Sequence, residues 1–245
     1  MKFTKKKVFV AALAVCLIAI LSMGSLAWFN ANDEVTNIFN VADSEGPNDS
    51  PEFSIKVEET KNDGTTGTTK TNTYNDVLPG QKIAKDPKIT NTSTESDQFV
   101  RVNVIISKAF ADQIAEAQGK FDANGDVAPE QLDFSKLFDG FDATKYEDTR
   151  EFKTTAISDC YIYAYYLKNK LAIDTPHTVF TNVNIPGNFV QSDMAFGQFG
   201  INIKAEALQT KYIKGTDGND VTTASAAFSA VGWETGSNYD YPASN

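Results

Sequence analysis

The chain has 245 residues, of which 41 % are hydrophobic, and it carries 22 Lys and Arg residues against 32 Asp and Glu residues, a formal net charge of −10. This acidic balance argues against nucleic-acid binding, because proteins that bind nucleic acids present basic faces that displace counterions. Two Cys residues and a single His exclude cysteine-based zinc clusters, iron–sulfur sites, disulfide scaffolds and any mechanism that needs two histidines.

The N-terminal segment has the layout of a secretory signal peptide. Four lysines precede an uninterrupted apolar run over residues 8–21, and Ser25 and Ala27 are the small residues that a signal peptidase accepts at positions −3 and −1. We therefore predict cleavage after Ala27. The alternative is an uncleaved anchor, because residues 8–29 are long enough to cross about 30 Å of hydrocarbon.

Cleavage would leave residues 28–245 as the mature chain. The removed segment contains four lysines and no acidic residue, so the mature chain has 18 basic residues against 32 acidic ones. Such a charge suits a soluble extracellular protein. Cys160 would then be the only cysteine, which excludes an intramolecular disulfide, and its apolar surroundings predict a small buried hydrophobic side chain.

Apolar residues recur at every second position through most of the mature chain. This period is typical of strands with one buried face and polar residues outside. Residues 160–167 are apolar or aromatic on both faces and predict a central strand. Turn-rich connections between strands favour an antiparallel β-sandwich. The alternating segments are residues 53–58, 100–106, 179–185 and 199–207.

Two segments predict helices. Residues 108–118 follow a candidate N-cap at Ser107 and stop at Gly119. Residues 129–141 place four apolar side chains at helical spacing after a proline. We expect the block 108–150 to form a helical insertion that packs against the sandwich.

The remaining mature chain contains one long polar stretch and no obvious repeat. Residues 60–76 are rich in Thr, Asn and Gly and contain hardly an apolar side chain, so they predict a solvated loop or an exposed hairpin. The sequence lacks a clear linker between domains. We therefore predict one domain over residues 28–245.

The new N-terminus, residues 28–41, has the alternation of a strand. One face carries Phe29, Val35, Phe39 and Val41. A strand at a free chain end can pair within its own sheet and give a monomer. It can instead add to an open sheet edge of the next molecule and give a linear polymer, because unprotected edges are templates for strand addition.

Catalytic motifs are scarce in the sequence. A zinc peptidase of the common type needs two histidines four residues apart with a Glu between them, whereas this chain has only His177. There is also no Gly-x-Ser-x-Gly motif for a serine nucleophile. We predict that His177 is a surface turn residue and that the protein is not an enzyme.

A calcium site has weak support in one acidic turn. Asp122, Asn124 and Asp126 supply oxygen ligands at positions 1, 3 and 5 of an EF-hand-like loop. Val127 stands where that loop requires Gly, and Asp133 replaces the bidentate Glu at position 12. The three residues are therefore weak calcium candidates, and the sequence predicts no other cofactor.

Several short motifs follow one another along the chain, at residues 24–29, 35–41, 78–81, 86–92, 98–102, 179–185 and 205–209. They include a small-residue cleavage site followed by aromatic residues, a T-N-x-F-x-V stretch, a Pro-Gly turn and two later strand segments. In this order they resemble the motifs of the TasA/camelysin-like family of secreted Gram-positive biofilm-matrix proteins, and the strand segments at 98–102 and 205–209 are similar to the family's "dayvRv" and "AeAvQ" segments.

This resemblance implies a jelly-roll-like sandwich, processing by a dedicated signal peptidase and a role in extracellular matrix fibres or surface layers. Some family members are classed as metallopeptidases. The block 108–150 is longer than the family's short members would require.

The sequence therefore predicts a secreted structural subunit of extracellular matrix or cell-surface fibres that assembles by N-terminal strand addition after signal cleavage. Its expected partners are a signal peptidase, further copies of itself and other matrix proteins. It is not expected to bind nucleic acid, and it should contact membrane only through the uncleaved signal segment. The alternatives are a monomeric adhesin or surface-layer-like module, stabilised by calcium, and, third, a metallopeptidase of the camelysin type.

Overall fold

A computed structural model describes residues 53–70, 72–74, 77–94, 96–154, 159–187, 200–211 and 213–235. These residues are mainly β. The strands are β1 (Ile55–Thr60), β2 (Thr68–Thr69), β3 (Lys82–Ala84), β4 (Lys88–Asn91), β5 (Gln98–Ser107), β6 (Phe138–Asp139), β7 (Tyr146–Thr154), β8 (Cys160–Leu167), β9 (Pro176–Thr178), β10 (Asn182–Asn184) and β11 (Ile201–Gln209). The α-helices are α1 (Lys108–Ala117), α2 (Phe134–Leu137) and α3 (Ala224–Ala230).

The strands form three antiparallel sheets. The largest has the order β11-β5-β8-β7, and its inner face packs against two smaller sheets of order β2-β1-β4-β9 and β3-β10-β6. Between these layers lies one hydrophobic core that takes side chains from all three sheets, including Ile55, Ile83, Val104 and Tyr163. The predicted antiparallel β-sandwich with a small helical part is confirmed.

β5 and β8 form the centre of the large sheet and are buried on both faces. All ten residues of β5 are buried, and seven of the eight residues of β8 are buried. The core face of β5 carries Val100, Val102, Val104 and Ile106. α3 packs on the other face, where Phe228 joins Phe99 and Tyr166 in a second apolar cluster. The prediction that residues 160–167 form a central strand is confirmed.

Burial of both faces contradicts the prediction that the polar side chains of the strands lie outside. Arg101 and Asn103 on β5 are 1 % and 0 % exposed, and Glu206 on β11 is 0 % exposed. Arg101 stands directly opposite Glu206 in the ladder between the two strands. The alternation identified the core face correctly, but it did not reveal that α3 and the chain after it cover the opposite face.

Arg101 makes the polar contacts that stabilise this second face. Its Nε donates to Glu206 Oε2 at 2.6 Å, and its Nη1 donates to the carbonyl oxygen of Trp233 at 2.8 Å. Its guanidinium carbon lies 4.3 Å from the ring centroid of Phe228, a cation–π contact. Asn103 Nδ2 also donates to Glu206 Oε2, at 2.8 Å. One buried Arg therefore joins β5 to β11, α3 and the segment after α3.

The helical predictions are only partly confirmed. α1 matches the first one, since it buries Phe110 and Ile114 and is followed by Gly119 with φ 66°. Ser107, however, does not cap it: no side-chain cap hydrogen bond is present, and Ser107 Oγ accepts from the Gly200 amide at 3.2 Å. The Ser107 hydroxyl therefore bonds to the residue just before β11 instead of capping α1.

The predicted helix over 129–141 is wrong in extent. The segment forms a 3-10 turn at Pro129–Gln131, the four-residue α2, and then β6, which pairs with β10. Its aromatic side chains still face the core, where the rings of Phe138 and Phe180 stack at 4.1 Å. Phe138 and Asp139 pair with β10 instead of continuing the helix, because a longer helix would lose the hydrogen bonds of this ladder.

We predict that the Arg101–Glu206 pair is required for stability. Replacing Arg101 by Met leaves the Glu206 carboxylate buried without its cation, which should lower the free energy of unfolding by about 3–5 kcal/mol in urea titrations. The exposed pair Lys214–Asp220, whose side chains are 55 % and 73 % exposed, gives a matched control: Lys214→Met should cost at most about 1 kcal/mol.

The double variant Arg101→Met with Glu206→Leu removes both charges. It should recover most of the stability that Arg101→Met loses, because no uncompensated charge remains buried. Equal small losses for Arg101→Met and Lys214→Met would contradict this account of the fold.

Candidate functional site

β7 is the exposed edge of the large sheet. It has nine residues, and no described strand pairs with its outer side. The opposite edge strand, β11, is different: it lies beside β1, and its Ala205 and Ala207 are 0 % and 1 % exposed. The edge strands of the two smaller sheets have only two or three residues each. Within the described residues, β7 is therefore the one long edge that faces solvent.

Hydrogen bonds at the end of β5 show which backbone groups of β8 point toward β7. The amide of Lys108 donates to the carbonyl of Asp159 at 2.8 Å, in register with the β5–β8 ladder. Bonded pairs alternate along an antiparallel ladder, so odd-numbered residues of β8 bond to β5 and even-numbered residues bond to β7. The 2.9 Å bond from the Lys168 amide to the Lys145 carbonyl agrees with this assignment.

The same alternation identifies the free groups of β7. Glu151 and Lys153 stand opposite even-numbered residues of β8 and direct their amides and carbonyls toward it. Arg150, Phe152 and Thr154 consequently direct their backbone amides and carbonyls away from the sheet. No described residue accepts or donates a hydrogen bond there, so these three residues form a row of main-chain donors and acceptors, which we call the β7 edge.

Three of the five charged side chains on β7, Glu147, Arg150 and Glu151, make contacts within the molecule, whereas Asp148 and Lys153 are exposed. The Glu147 carboxylate accepts from the amides of Ala224 and Ser225, at 2.7 and 3.2 Å, at the start of α3. Edge strands often carry charges that repel an added strand. Here Glu147 serves instead to hold α3 on the sheet.

Two further charges of β7 are held in the same way. Arg150 Nη1 donates to the Leu132 carbonyl at 2.9 Å and to Tyr165 Oη at 3.1 Å. Glu151 accepts from the hydroxyls of Tyr166 and Thr235, each at 2.5 Å. Burial alone would raise the pKa of Glu151, but these two hydrogen bonds lower it overall and keep the carboxylate ionised.

Phe152 places an apolar side chain on the core-side face of the β7 edge. Its ring is half-buried and lies 5.1 Å from the ring centroid of Tyr161 and 5.3 Å from that of Tyr163. Phe152 packs against the main core, whereas Lys153 and Thr154 beside it are exposed. Arg150 and Thr154 stand opposite Tyr165 and Tyr161 and so share the core-side face with Phe152, whereas Lys153 lies on the other face. A strand placed next to β7 would therefore have one apolar neighbour, Phe152, between two polar ones on its core side.

The weak calcium candidates lie in a hairpin loop between α1 and the 3-10 turn. Asp122 Oδ1 accepts from the amides of Asn124 and Asp126 at 2.8 and 2.9 Å. The pKa of Asp122 is lowered chiefly by the Asp126 amide and then by the Asn124 amide. Hydrogen bonds within the loop thus account for the lowered pKa of the Asp122 carboxylate. Among the described residues, no group of three or more acidic, His or Cys side chains could hold a metal ion.

His177 is not the surface turn residue that the sequence predicted. It lies on β9 opposite Ile89 of β4, and its Nε2 is 2.9 Å from Tyr146 Oη. Burial, reinforced by the charge of Lys145, lowers its pKa to about 4. The imidazole is therefore neutral at physiological pH and joins β9 to β7.

Cys160, which the sequence predicted to be buried, is only half-buried at the start of β8. The other predicted site residues, Ser25 and Ala27 for processing and Phe29, Val35, Phe39 and Val41 for strand docking, lie outside the described residues. Their roles stay predictions. None of the described helices has the length and apolar character required to cross a bilayer.

The β7 edge was not among the sites predicted from sequence. Residues 146–154 are rich in charge, and their apolar alternation is poor, so they gave no strand signal and were in part assigned to the helical insertion. The sequence offered one indirect sign of this strand: the aromatic strand at residues 160–167 reads as a central strand, and a central strand needs a neighbour on each side.

We expect His177 to make stability depend on pH. Its pKa is about 4 in the folded state against an ordinary value of 6.5, so between these values the unfolded chain takes up a proton that the folded chain does not. The fold should lose stability as pH falls through that window. His177→Gln, which keeps a polar partner for Tyr146, should flatten the dependence of melting temperature on pH. Identical slopes for the two proteins above pH 5 would contradict this.

The chain matches no family model, no curated protein and no solved structure.

Proposed function

We propose that residues 28–245 form a secreted structural subunit that assembles into extracellular matrix or cell-surface fibres by adding its N-terminal strand to the next subunit. The observation that carries the proposal is the β-sandwich itself, since a strand at a chain end can extend only a sheet that offers an edge. The large sheet offers such an edge at β7.

The construction of the body supports this role. α3 and the segment after it are fixed on the large sheet by Arg101, Glu147 and Glu151, through contacts that are partly buried. A sheet held on both faces keeps its edge in one geometry, so an added strand would meet preformed main-chain partners and lose little binding energy to their ordering.

Signal cleavage would control assembly. While residues 1–27 remain attached, the segment 28–41 is tethered at the membrane and is not a free chain end. Cleavage after Ala27 by a signal peptidase would release it, and the fibres would then form outside the cell from copies of this chain, with other matrix proteins as further partners. Assembly by main-chain pairing needs no cofactor and no catalysis, so we propose a non-enzymatic role.

Purified 28–245 should form filaments that are visible by negative-stain microscopy and raise light scattering. The version 42–245 should stay monomeric while keeping the same β-rich circular dichroism spectrum, because it lacks the strand that is added. Folded monomers from both would contradict self-assembly and favour the monomeric adhesin.

A pair of single substitutions tests whether one face of the strand matters. Val35→Lys places a charge on the apolar face and should abolish filaments. Thr36→Lys adds the same charge at the next position, on the opposite face, and should leave filaments intact. Equal effects of the two substitutions would contradict docking of residues 28–41 as a strand.

A further inference from the structure

The geometry points to the β7 edge as the acceptor, and we propose that residues 28–41 of a second copy of this chain pair with Arg150, Phe152 and Thr154. This inference rests on the proposed function and adds to it the surface on which the strand docks.

Main-chain geometry is the first argument. Arg150, Phe152 and Thr154 direct three amides and three carbonyls outward, and no described residue bonds to them. Strand addition to such an edge supplies affinity through a row of main-chain hydrogen bonds. The β7 edge spans residues 150–154, so it can pair with a part of the predicted strand of residues 28–41.

The side chains on the two faces of the β7 edge give the second argument. On the core side, half-buried Phe152 lies between Arg150 and Thr154 and continues the aromatic packing of Tyr161 and Tyr163. The apolar face of residues 28–41, which carries Phe29, Val35, Phe39 and Val41, would extend that packing by one strand.

Charge provides the third argument. Lys153 is exposed on the opposite face of β7. In residues 28–41 the charged side chains are two acids, Asp33 and Glu34, with no basic residue. Glu34 lies on the predicted polar face, where a cation on the neighbouring strand favours it. Of the three acids on β7, Glu147 and Glu151 are bound to α3 and to Tyr166 and Thr235, whereas Asp148 is exposed before the β7 edge begins at Arg150.

The test measures the outward amides directly. In dilute monomeric 28–245, hydrogen exchange at the amides of Phe152 and Thr154 should be fast, while exchange at Glu151 and Lys153, which bond to β8, should be slow. On assembly, exchange at Phe152 and Thr154 should slow by at least about tenfold, as expected when one main-chain hydrogen bond protects each amide.

A substitution at the edge gives the second readout. Thr154→Pro removes one outward amide and leaves the β7–β8 ladder intact, because that amide does not point toward β8. It should slow filament growth about tenfold or more. The matched control Thr154→Ala keeps the amide and should assemble like the unchanged protein. Circular dichroism and melting curves of both variants check that the fold is kept.

The outcomes separate the two proposals. Filaments whose Phe152 and Thr154 amides still exchange fast, or a Thr154→Pro variant that assembles like Thr154→Ala, would overturn the assignment of the β7 edge alone. Protection of these amides in dilute monomer, independent of concentration, would mean that the chain covers its own edge and would also overturn it. Absence of any filament from 28–245 would contradict the proposed function, and this inference would fail with it.

Discussion

The contact between Arg101 and Glu206 is the interaction on which the rest of the structure depends. Both side chains are 1 % exposed, and a charge buried so deeply is tolerated only when it is paired and hydrogen-bonded. The pair therefore requires that the outer face of the large sheet be covered by α3 and by the segment that includes Trp233, with which Arg101 makes its further contacts. Because β5 and β8 lie in the covered centre of this sheet, only its edge strands, β7 and β11, are placed to pair with a strand of another molecule.

The two edge strands differ in a way that relates the fold to the proposed assembly. β11 lies beside β1, and its Ala205 and Ala207 are buried. β7 is attached at its side chains, through Glu147, Arg150 and Glu151, while no described residue bonds to its outward main chain. A strand whose charged side chains mostly make contacts within the molecule suits pairing with another chain better than a strand whose charges are all free.

The sequence predicted the fold well where packing follows a simple period. The core face of β5, the central position of β8 and the extent of α1 could all be inferred from apolar spacing. Arg101, Asn103 and Glu206 were misjudged because alternation shows which residues are polar and not whether a distant helix covers them. His177 was misjudged for the same reason, since its contact with Tyr146 joins positions 31 residues apart. The β7 edge was missed because an edge depends on which strands pair, and single-sequence patterns do not specify pairing.

The most direct test of the account is the binding of a synthetic peptide of residues 28–41 to the folded protein 42–245, measured by titration calorimetry or fluorescence anisotropy. We predict saturable binding at one peptide per protein molecule, loss of binding when the peptide carries Lys at position 35, and inhibition of filament growth when the unchanged peptide is added to 28–245. A folded body that does not bind the peptide, while 28–245 still forms filaments, would contradict the claim that the N-terminal strand joins the subunits.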